Sequence, residues 1–352
     1  MFEEKTVQVI EIIEEDEWLQ KLKTDGGAGK AILYFACCAR VEAGESIKVN
    51  TTAERLKLGT GGWDIVITSY KNNHFIKGSG HIMKARYTAC QHSVFAIDSP
   101  EHPDHAIFKL PFHLNDKKVL LAELHSMLPI ILGALFMQRE NQRVGIVLSD
   151  EAALPAGLSD HMRMWKSDPR VSVVTTGQSF GGTFEAVTIP NALQWLVLKK
   201  EVDVLIVSMG HGTVGTNTPF GFSGMAVAGW ANLVGALKGQ SVWVPRLSFQ
   251  EKRQRHFGLS HHSVTPLKQF TYAPSTMVLP ILAEEKMIQL EEQIMSLRDL
   301  PFLKIYFEEI EEWMMAWLEW YKAYPSSIST MGSDITNHPD FLKGVIASVK
   351  YI

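Results

Sequence analysis

Short apolar runs separated by turn residues dominate the first 115 residues of the chain. The runs are rich in β-branched and aromatic residues, and turn signals such as Asp25-Gly26-Gly27 lie between them. The helical spacing of apolar residues is missing from this part. The pattern therefore predicts a β-rich, barrel-like or sandwich domain over residues 1–115. The predicted strands are Val7–Ile13, Ala31–Ala39, Ile47–Asn50, Asp64–Thr68 and Ser93–Ile97.

From about Lys117 onward, short apolar strands alternate with longer helical segments. The predicted strands cover residues 118–123, 144–148, 171–175, 202–208 and 242–245, and the helices cover residues 127–139, 155–165, 185–199 and 225–237. Runs such as Val204-Leu-Ile-Val207 are apolar at every position, as strands covered on both faces must be. The alternation predicts a doubly wound, mainly parallel α/β domain over residues 116–275.

The remaining residues, 276–352, are predicted to form a helical tail that packs on the α/β domain or on a partner. Two helical faces are predicted, one with Met287, Leu290, Ile294 and Leu297, the other with Leu303, Tyr306, Ile310, Met314, Trp317 and Tyr321. An aromatic stripe of Trp313, Trp317 and Trp320 is expected to pack in the core. A dimer interface is the alternative interpretation of this stripe.

Composition and charge narrow the class of protein. A chain of 352 residues with 46% hydrophobic and 20% charged residues is typical of a two-domain globular protein. The formal charge of −4 argues against a nucleic-acid partner. The three cysteines are too few for a disulfide framework. No signal peptide is visible in the acidic N-terminal residues, and the apolar run Met127–Met137 is too short to span a bilayer. We therefore expect a cytoplasmic enzyme or binding protein without a membrane partner, with a homo-oligomer as an open alternative.

The loops that follow the predicted parallel strands are rich in glycine, hydroxyl and charged residues, whereas the opposite turns are plain. Ligands of open parallel sheets bind at this edge, because helix N-termini face it. We therefore predict one small-molecule site at the carboxyl edge of the sheet. The loops cover residues 125–126, 149–151, 176–185, 209–224 and 246–262.

Each loop suggests a role in binding an anionic metabolite. Proton transfer is assigned to Asp150, His261 and His262. Anion binding is assigned to Gly181, Gly182, Thr183, Gly212, Thr213, Gly215, Thr216, Ser223, Gly224, Arg255 and His256. A divalent metal such as zinc is an alternative, with His125, Asp150 and His261 as its candidate ligands, so the cofactor stays unknown. Strand alternation over Gly80–Thr88 would place Lys84 and Arg86 on one face, from which they could reach a negative ligand across a domain cleft.

Several named motifs are absent or incomplete. Gly210, Gly212 and Gly215 form a literal GxGxxG, but the helix is delayed and the acidic residue of a dinucleotide site is missing. No phosphate loop of the GxxxxGK[ST] type occurs. Ser223 lies in a sequence one residue short of a nucleophile elbow, and a helix-capping role is the simpler explanation of it. An enzyme acting on an anionic metabolite is the leading hypothesis, and a non-catalytic sensor or a structural subunit of a homo-oligomer are the alternatives.

Five ordered blocks of the sequence resemble a known family. They are Gly80-His-Ile-Met-Lys-Ala-Arg-Tyr-Thr88, Ser149-Asp-Glu-Ala-Ala-Leu-Pro155, Gly177-Gln-Ser-Phe-Gly-Gly182, Gly215-Thr-Asn-Thr-Pro-Phe-Gly-Phe-Ser-Gly224 and Arg255-His-Phe-Gly-Leu-Ser-His-His262. Together they resemble the bacterial domain-of-unknown-function 3866 family, from the first strands to about residue 270. The chain departs from that family's pattern at His211, where a proline is expected. The resemblance implies no reaction, because the family carries no assigned activity.

Overall fold

The computed structural model describes residues 1–58, 61–70, 78–330 and 332–352, in two compact units, Met1–Glu101 and His102–Ile352. The strands are β1 Glu4–Glu15, β2 Leu19–Thr24, β3 Lys30–Tyr34, β4 Ser46–Asn50, β5 Asp64–Ser69, β6 Ile82–Lys84, β7 His92–Val94, β8 Lys118–Ala122, β9 Val144–Ser149, β10 Val171–Thr175, β11 Phe184–Glu185, β12 Val204–Met209, β13 Gln240–Val244, β14 Leu247–Ser248, β15 Gly258–Leu259, β16 Ser275–Pro280, β17 Leu303–Glu308, β18 Ser329–Thr330 and β19 Ser333–Asp334. The helices are α1 Thr52–Arg55, α2 Met127–Gln138, α3 Asp160–Lys166, α4 Ile189–Leu198, α5 Ala226–Ala236, α6 His261–Phe270, α7 Glu284–Arg298, α8 Glu311–Lys322 and α9 Pro339–Lys350.

The first unit contains a closed barrel with the strand order β1-β2-β3-β5-β4. The pairs are antiparallel except for β3 and β5, and β4 closes the barrel on β1. Inward-facing side chains such as Leu22, Leu33 and Ile47 are fully buried and fill it. The predicted barrel-like architecture is confirmed, although β2 was missed because its two apolar residues, Leu19 and Leu22, are separated by Gln20 and Lys21 and do not alternate with polar residues.

The segment Gly80–Thr88 is a strand only from Ile82 to Lys84, where β6 pairs with β7. The backbone then turns through the left-handed region at Ala85 and Tyr87, so the alternation of side chains ends. Lys84 is fully buried, whereas Arg86 is exposed. The prediction that these two side chains share one strand face is therefore wrong.

In the described part of the second unit, eight strands form one sheet in the order β11-β10-β9-β12-β8-β13-β16-β17. Every strand pair in it is parallel, and β9 and β12 are buried at every position. Two of its strands come from the region predicted as tail or its border, since Ser275–Pro280 pairs with Leu303–Glu308. The predicted helix that began at Leu303 is thus wrong over its first turns, and the helix starts at Glu311.

Helices cover both faces of this sheet, which confirms the doubly wound architecture. On one face, α2, α3, α8 and α9 share a continuous buried core with the strands. Trp317 is fully buried there, and its Nε1 donates to the carbonyl of Ile130. The predicted packing of the aromatic stripe in the core is therefore confirmed for Trp317. Helices α4 and α5 contact the strands but contribute no residue to that core, so they cover the other face.

The winding of the chain reverses at β8. From β8 the chain moves to β9, β10 and β11 on one side, and β12 then returns between β9 and β8. The next strands, β13, β16 and β17, lie on the other side of β8. The carboxyl ends of β12, β8 and β13 are therefore neighbours at a topological switch point, where open α/β sheets bind ligands. No helix in the described residues is both long and apolar enough to cross a membrane.

Candidate functional site

A cavity of about 200 Å³ lies at the carboxyl ends of β12 and β13, close to the end of β8. Residues 213–218 and 221–222, which follow β12, line one side. Three arginines and three histidines that follow β13 line the other side, namely Arg246, Arg253, Arg255, His256, His261 and His262. We call this cavity the switch-point pocket. It brings together two of the five loops predicted from the sequence.

The segment after β12 folds back on itself like a short hairpin. Gly215 and Phe222 form an isolated antiparallel bridge. The Oγ of Ser223 accepts a hydrogen bond from the backbone N–H of Val214, at 3.1 Å. Ser223 therefore closes this loop rather than capping helix α5. Gly212, at the start of the loop, has a φ of 77°, which favours glycine.

Ser260 and His256 fix the start of helix α6. The Oγ of Ser260 accepts the backbone N–H of His262 at 3.2 Å, as an N-cap residue does. The Nδ1 of His256 lies 2.8 Å from the same oxygen, and its Nε2 accepts from Nε of Arg255 at 3.2 Å. Because Nε2 accepts, Nδ1 carries the ring proton. Burial and then the charge of Arg246 lower the pKa of His256 to about 3, so its imidazole is neutral.

His261 and His262 come directly after this cap. The ring of His262 stacks on that of Phe222, with parallel planes and centroids 3.9 Å apart. Burial is the main cause that lowers the pKa of His261 to about 4, and the neighbouring His262 is the second cause. The Nε2 of His261 is buried and has no hydrogen-bond partner among the described residues. The three imidazoles of His256, His261 and His262 lie with their centroids 4.5–4.9 Å apart.

Glu123 follows β8 and contacts His262 and Arg246, which line the pocket. Its side chain is 4% exposed, and its Oε1 lies 3.3 Å from Nδ1 of His262 and 3.9 Å from Nη1 of Arg246. Its Oε2 accepts from Oγ of Ser263 at 3.4 Å. In the part of the chain that the structure describes, Oε1 has no hydrogen-bond donor.

Arg246 is the buried cation of the pocket, with 9% of its surface exposed. Burial lowers the pKa of its guanidinium, yet arginine keeps its charge in proteins. Its Nη1 lies 3.3 Å from Nδ1 of His262. Its Nε and Nη2 have no hydrogen-bond partner within the described residues. Arg246 lies in the predicted loop 246–262 but was given no role there, and Glu123 was not predicted because it continues an apolar strand.

The other two arginines of the pocket differ in their pairing. Arg253 is held by the carboxylate of Glu251 in a fork, at 3.1 and 2.5 Å, and this contact lowers the pKa of Glu251 to about 2. Arg255 bonds to His256, and no described carboxylate pairs with it. Glu123 and Glu251 together leave one positive charge over in this group, which favours an anion.

The loop after β10 uses its polar groups internally. The Oδ2 of Asp150 accepts the backbone N–H of Gln178 at 2.7 Å, so Asp150 holds this loop. The amide of Gly181 donates to Glu185 Oε1 at 2.7 Å, and that of Gly182 donates to Thr175 Oγ1 at 3.1 Å. None of Asp150, Gly181, Gly182 or the exposed Thr183 lines the switch-point pocket.

His125 lies outside the group of three histidines. Its Nδ1 contacts the carbonyl of Met209 at 3.1 Å, and its Nε2 contacts Oγ of Ser159 at 2.8 Å. It stacks on His211 with centroids 4.0 Å apart. Both of its ring nitrogens are thus engaged in holding the ends of β8, β12 and α3 together. Lys84 and Arg86 belong to the first unit, and their predicted approach to the ligand stays a prediction.

Comparison with protein families gives one match. The family described as "Protein of unknown function (DUF3866)" matches residues 30–349, which is nearly the whole chain. Comparison with curated proteins gives no match. The match agrees with the resemblance of the five sequence blocks and brings no activity with it.

Proposed function

Since this chain belongs to the DUF3866 family of proteins of unknown function, its chemistry rests on its own geometry, and we propose that it binds a small anionic metabolite in the switch-point pocket. The unused guanidinium groups of Arg246 carry this proposal. Nε and Nη2 of this arginine make no hydrogen bond within the described residues and are therefore available to donate to a ligand in the pocket. Phosphate and carboxylate are the groups whose oxygens match the arginine fork.

The rest of the pocket fits the same class of ligand. Arg255 adds a second cation without a described acidic partner, and the hydroxyls of Thr213 and Thr216 lie in the exposed loop on the opposite side. A volume of about 200 Å³ suits one phosphate or carboxylate with a few attached atoms. The stacked rings of Phe222 and His262 give one apolar wall for such a group. All of these residues belong to the second unit.

The proposal is tested by titrating the protein with inorganic phosphate and with small phosphorylated or carboxylated metabolites, using calorimetry in the presence of EDTA. Arg246→Gln and Arg255→Gln each remove a charge-assisted contact of about 1.5–3 kcal/mol, so we expect affinity to fall about 10- to 100-fold. Arg143→Gln is the matched control, since Arg143 lies outside the pocket in an exposed pair with Glu201. Equal affinity in all three variants would refute the proposal.

Catalysis is the second candidate function, and one observation favours it. His261 has a neutral imidazole with an unpartnered Nε2, close to the buried carboxylate of Glu123. An imidazole in this state can accept a proton from a bound ligand. An enzyme would convert the ligand found by titration during prolonged incubation, and His261→Gln would abolish the conversion while sparing most of the affinity. A sensor would release the same ligand unchanged.

A cytoplasmic location and a homo-oligomeric state belong to the same proposal. Cys37, Cys38 and Cys90 are free cysteines, which is typical of proteins from reducing compartments. The exposed side chains of Met295 and Met315 on α7 and α8 offer apolar surface for a second copy of the chain. Cell fractionation tests the location, and sedimentation of the purified protein tests the oligomeric state. Recovery of the chain outside the cytoplasm, or as a monomer at all concentrations, would contradict them.

A further inference from the structure

We propose that His256, His261 and His262 form a binding site for a divalent transition-metal ion such as Zn²⁺, with Glu123 as a supporting residue beside His262. This inference goes beyond the binding of an anion and holds whether or not an anion binds. Its ligand set differs from the one predicted from the sequence, which was His125, Asp150 and His261, and the two sets share His261. No metal spacing is visible along the chain, because His256 reaches the other two through the turn at Ser260.

The geometry brings three ligand-type nitrogens together. One ring nitrogen of each histidine lies within 4.8 Å of the corresponding nitrogens of the other two. In a tetrahedral zinc site with Zn–N bonds of about 2.0 Å, such nitrogens lie roughly 3.3 Å apart. Small rotations of the imidazoles close this difference. His256 is held by Ser260 at its other nitrogen, which is the orientation that supporting contacts give to metal-bound histidines.

Two buried atoms of this group have no hydrogen-bond partner among the described residues. They are Oε1 of Glu123 and Nε2 of His261. Buried polar atoms in native proteins are nearly always satisfied by protein, water or an ion. A cation bound by the three histidines would satisfy Nε2 of His261, which is a basic nitrogen. Oε1 of Glu123 would supply a negative charge beside it, since Nη1 of Arg246 lies 3.9 Å away, beyond hydrogen-bond distance.

Arg255 is the residue that must move when the metal binds. Its Nε donates a hydrogen bond to Nε2 of His256 at 3.2 Å, and this is the nitrogen that would bind the metal. The side chain of Arg255 is partly exposed and has no carboxylate partner within the described residues, so it can swing outward. Once released, it becomes available to an anion that also contacts the metal. Three histidines leave one coordination position open when Glu123 stays in a supporting role, as in catalytic zinc sites.

The test uses untagged full-length protein, stripped with EDTA and titrated with Zn²⁺ and Co²⁺ in a phosphate-free buffer. We expect one equivalent to bind, with the intense visible absorption of tetrahedral Co²⁺. His256→Ala and His261→Ala should each weaken binding by more than about 100-fold, because even the loss of a supporting contact costs 10- to 100-fold. Glu123→Gln should weaken binding by about 10- to 100-fold. His81→Ala, an exposed histidine of the first unit, should leave binding unchanged.

The outcomes separate this proposal from the anion proposal. Absence of saturable binding at one equivalent overturns the metal site, as does binding that survives both His256→Ala and His261→Ala. His261→Gln, with circular dichroism to check its fold, gives the same answer if the alanine variant fails to fold. Anion titrations carried out in EDTA keep the two results independent, because an anion that binds without metal supports the switch-point pocket alone.

Discussion

His161 on helix α3 makes the stability of the second unit depend on pH. Its Nδ1 lies 2.9 Å from the hydroxyl of Tyr324, and its ring stacks on Trp165 and Tyr324. Burial is the main cause that lowers the pKa of His161 to about 4, and the nearby His211 is the second cause. Burial also raises the pKa of Tyr324, so the tyrosine hydroxyl donates to a neutral imidazole.

The expected loss of stability follows from proton uptake by the unfolded chain. Above pH 6.5 His161 is neutral in both states, and its contribution is fully present. As the pH falls from 6.5 towards 4, His161 takes up a proton in the unfolded chain but not in the folded protein. The free energy of unfolding therefore decreases. At pH 5 the loss attributable to His161 is about 2 kcal/mol.

The assay is urea unfolding at pH 7.5 and pH 5, followed by tryptophan fluorescence, for the native chain and for His161→Gln. Seven of the nine tryptophans lie in the second unit, so the signal follows that unit. We expect the native chain to lose about 2 kcal/mol more than the variant on acidification. His81→Gln, which alters an exposed histidine, should behave like the native chain. An equal loss in the native chain and His161→Gln would refute the reasoning.

Three further variants test the packing by urea unfolding at pH 7.5. Gly133→Ala should destabilise the protein by roughly 1–2 kcal/mol although alanine is the better helix former, because its Cβ would clash with the ring of Trp320; unchanged stability would contradict this contact. Lys286→Met should cost about 2 kcal/mol, since Asp340 is buried and would lose its partner, and no change would show the pair to be inert. Ser260→Ala should cost about 1 kcal/mol through the lost helix cap, and a cost near zero would disprove that role.

Much of the α/β fold is encoded locally. Strands such as Val204–Met209 are apolar except at Ser208, and their alternation with helices is sufficient to predict a parallel sheet. The strand Leu303–Glu308 was wrongly predicted to be helical. It is partly exposed, and Leu303, Tyr306 and Ile310 happen to be spaced as on a helix. Its pairing with Ser275–Pro280, a contact distant in sequence, decides its conformation.

The sequence predicted the edge of the sheet at which the switch-point pocket lies, but only part of the lining of that pocket. The sequence indicated the carboxyl edge of the sheet, and the pocket lined by His261 and His262 lies there. Which loops share a pocket depends on the strand order, and β12 enters between β9 and β8 through long-range pairing that no local pattern reveals. Glu123 was missed for the same reason, because it becomes a neighbour of His262 only when β8 lies between β12 and β13.

The location of the anion site is tested most directly by NMR of the histidine side chains. The protein, labelled with ¹⁵N at its imidazoles, is titrated with inorganic phosphate in EDTA. The account predicts progressive shifts at His256, His261 and His262, which line the pocket, and constant signals at His125 and His161, which do not. Constant signals at the three pocket histidines, or shifts centred on His125 and His161, would contradict it.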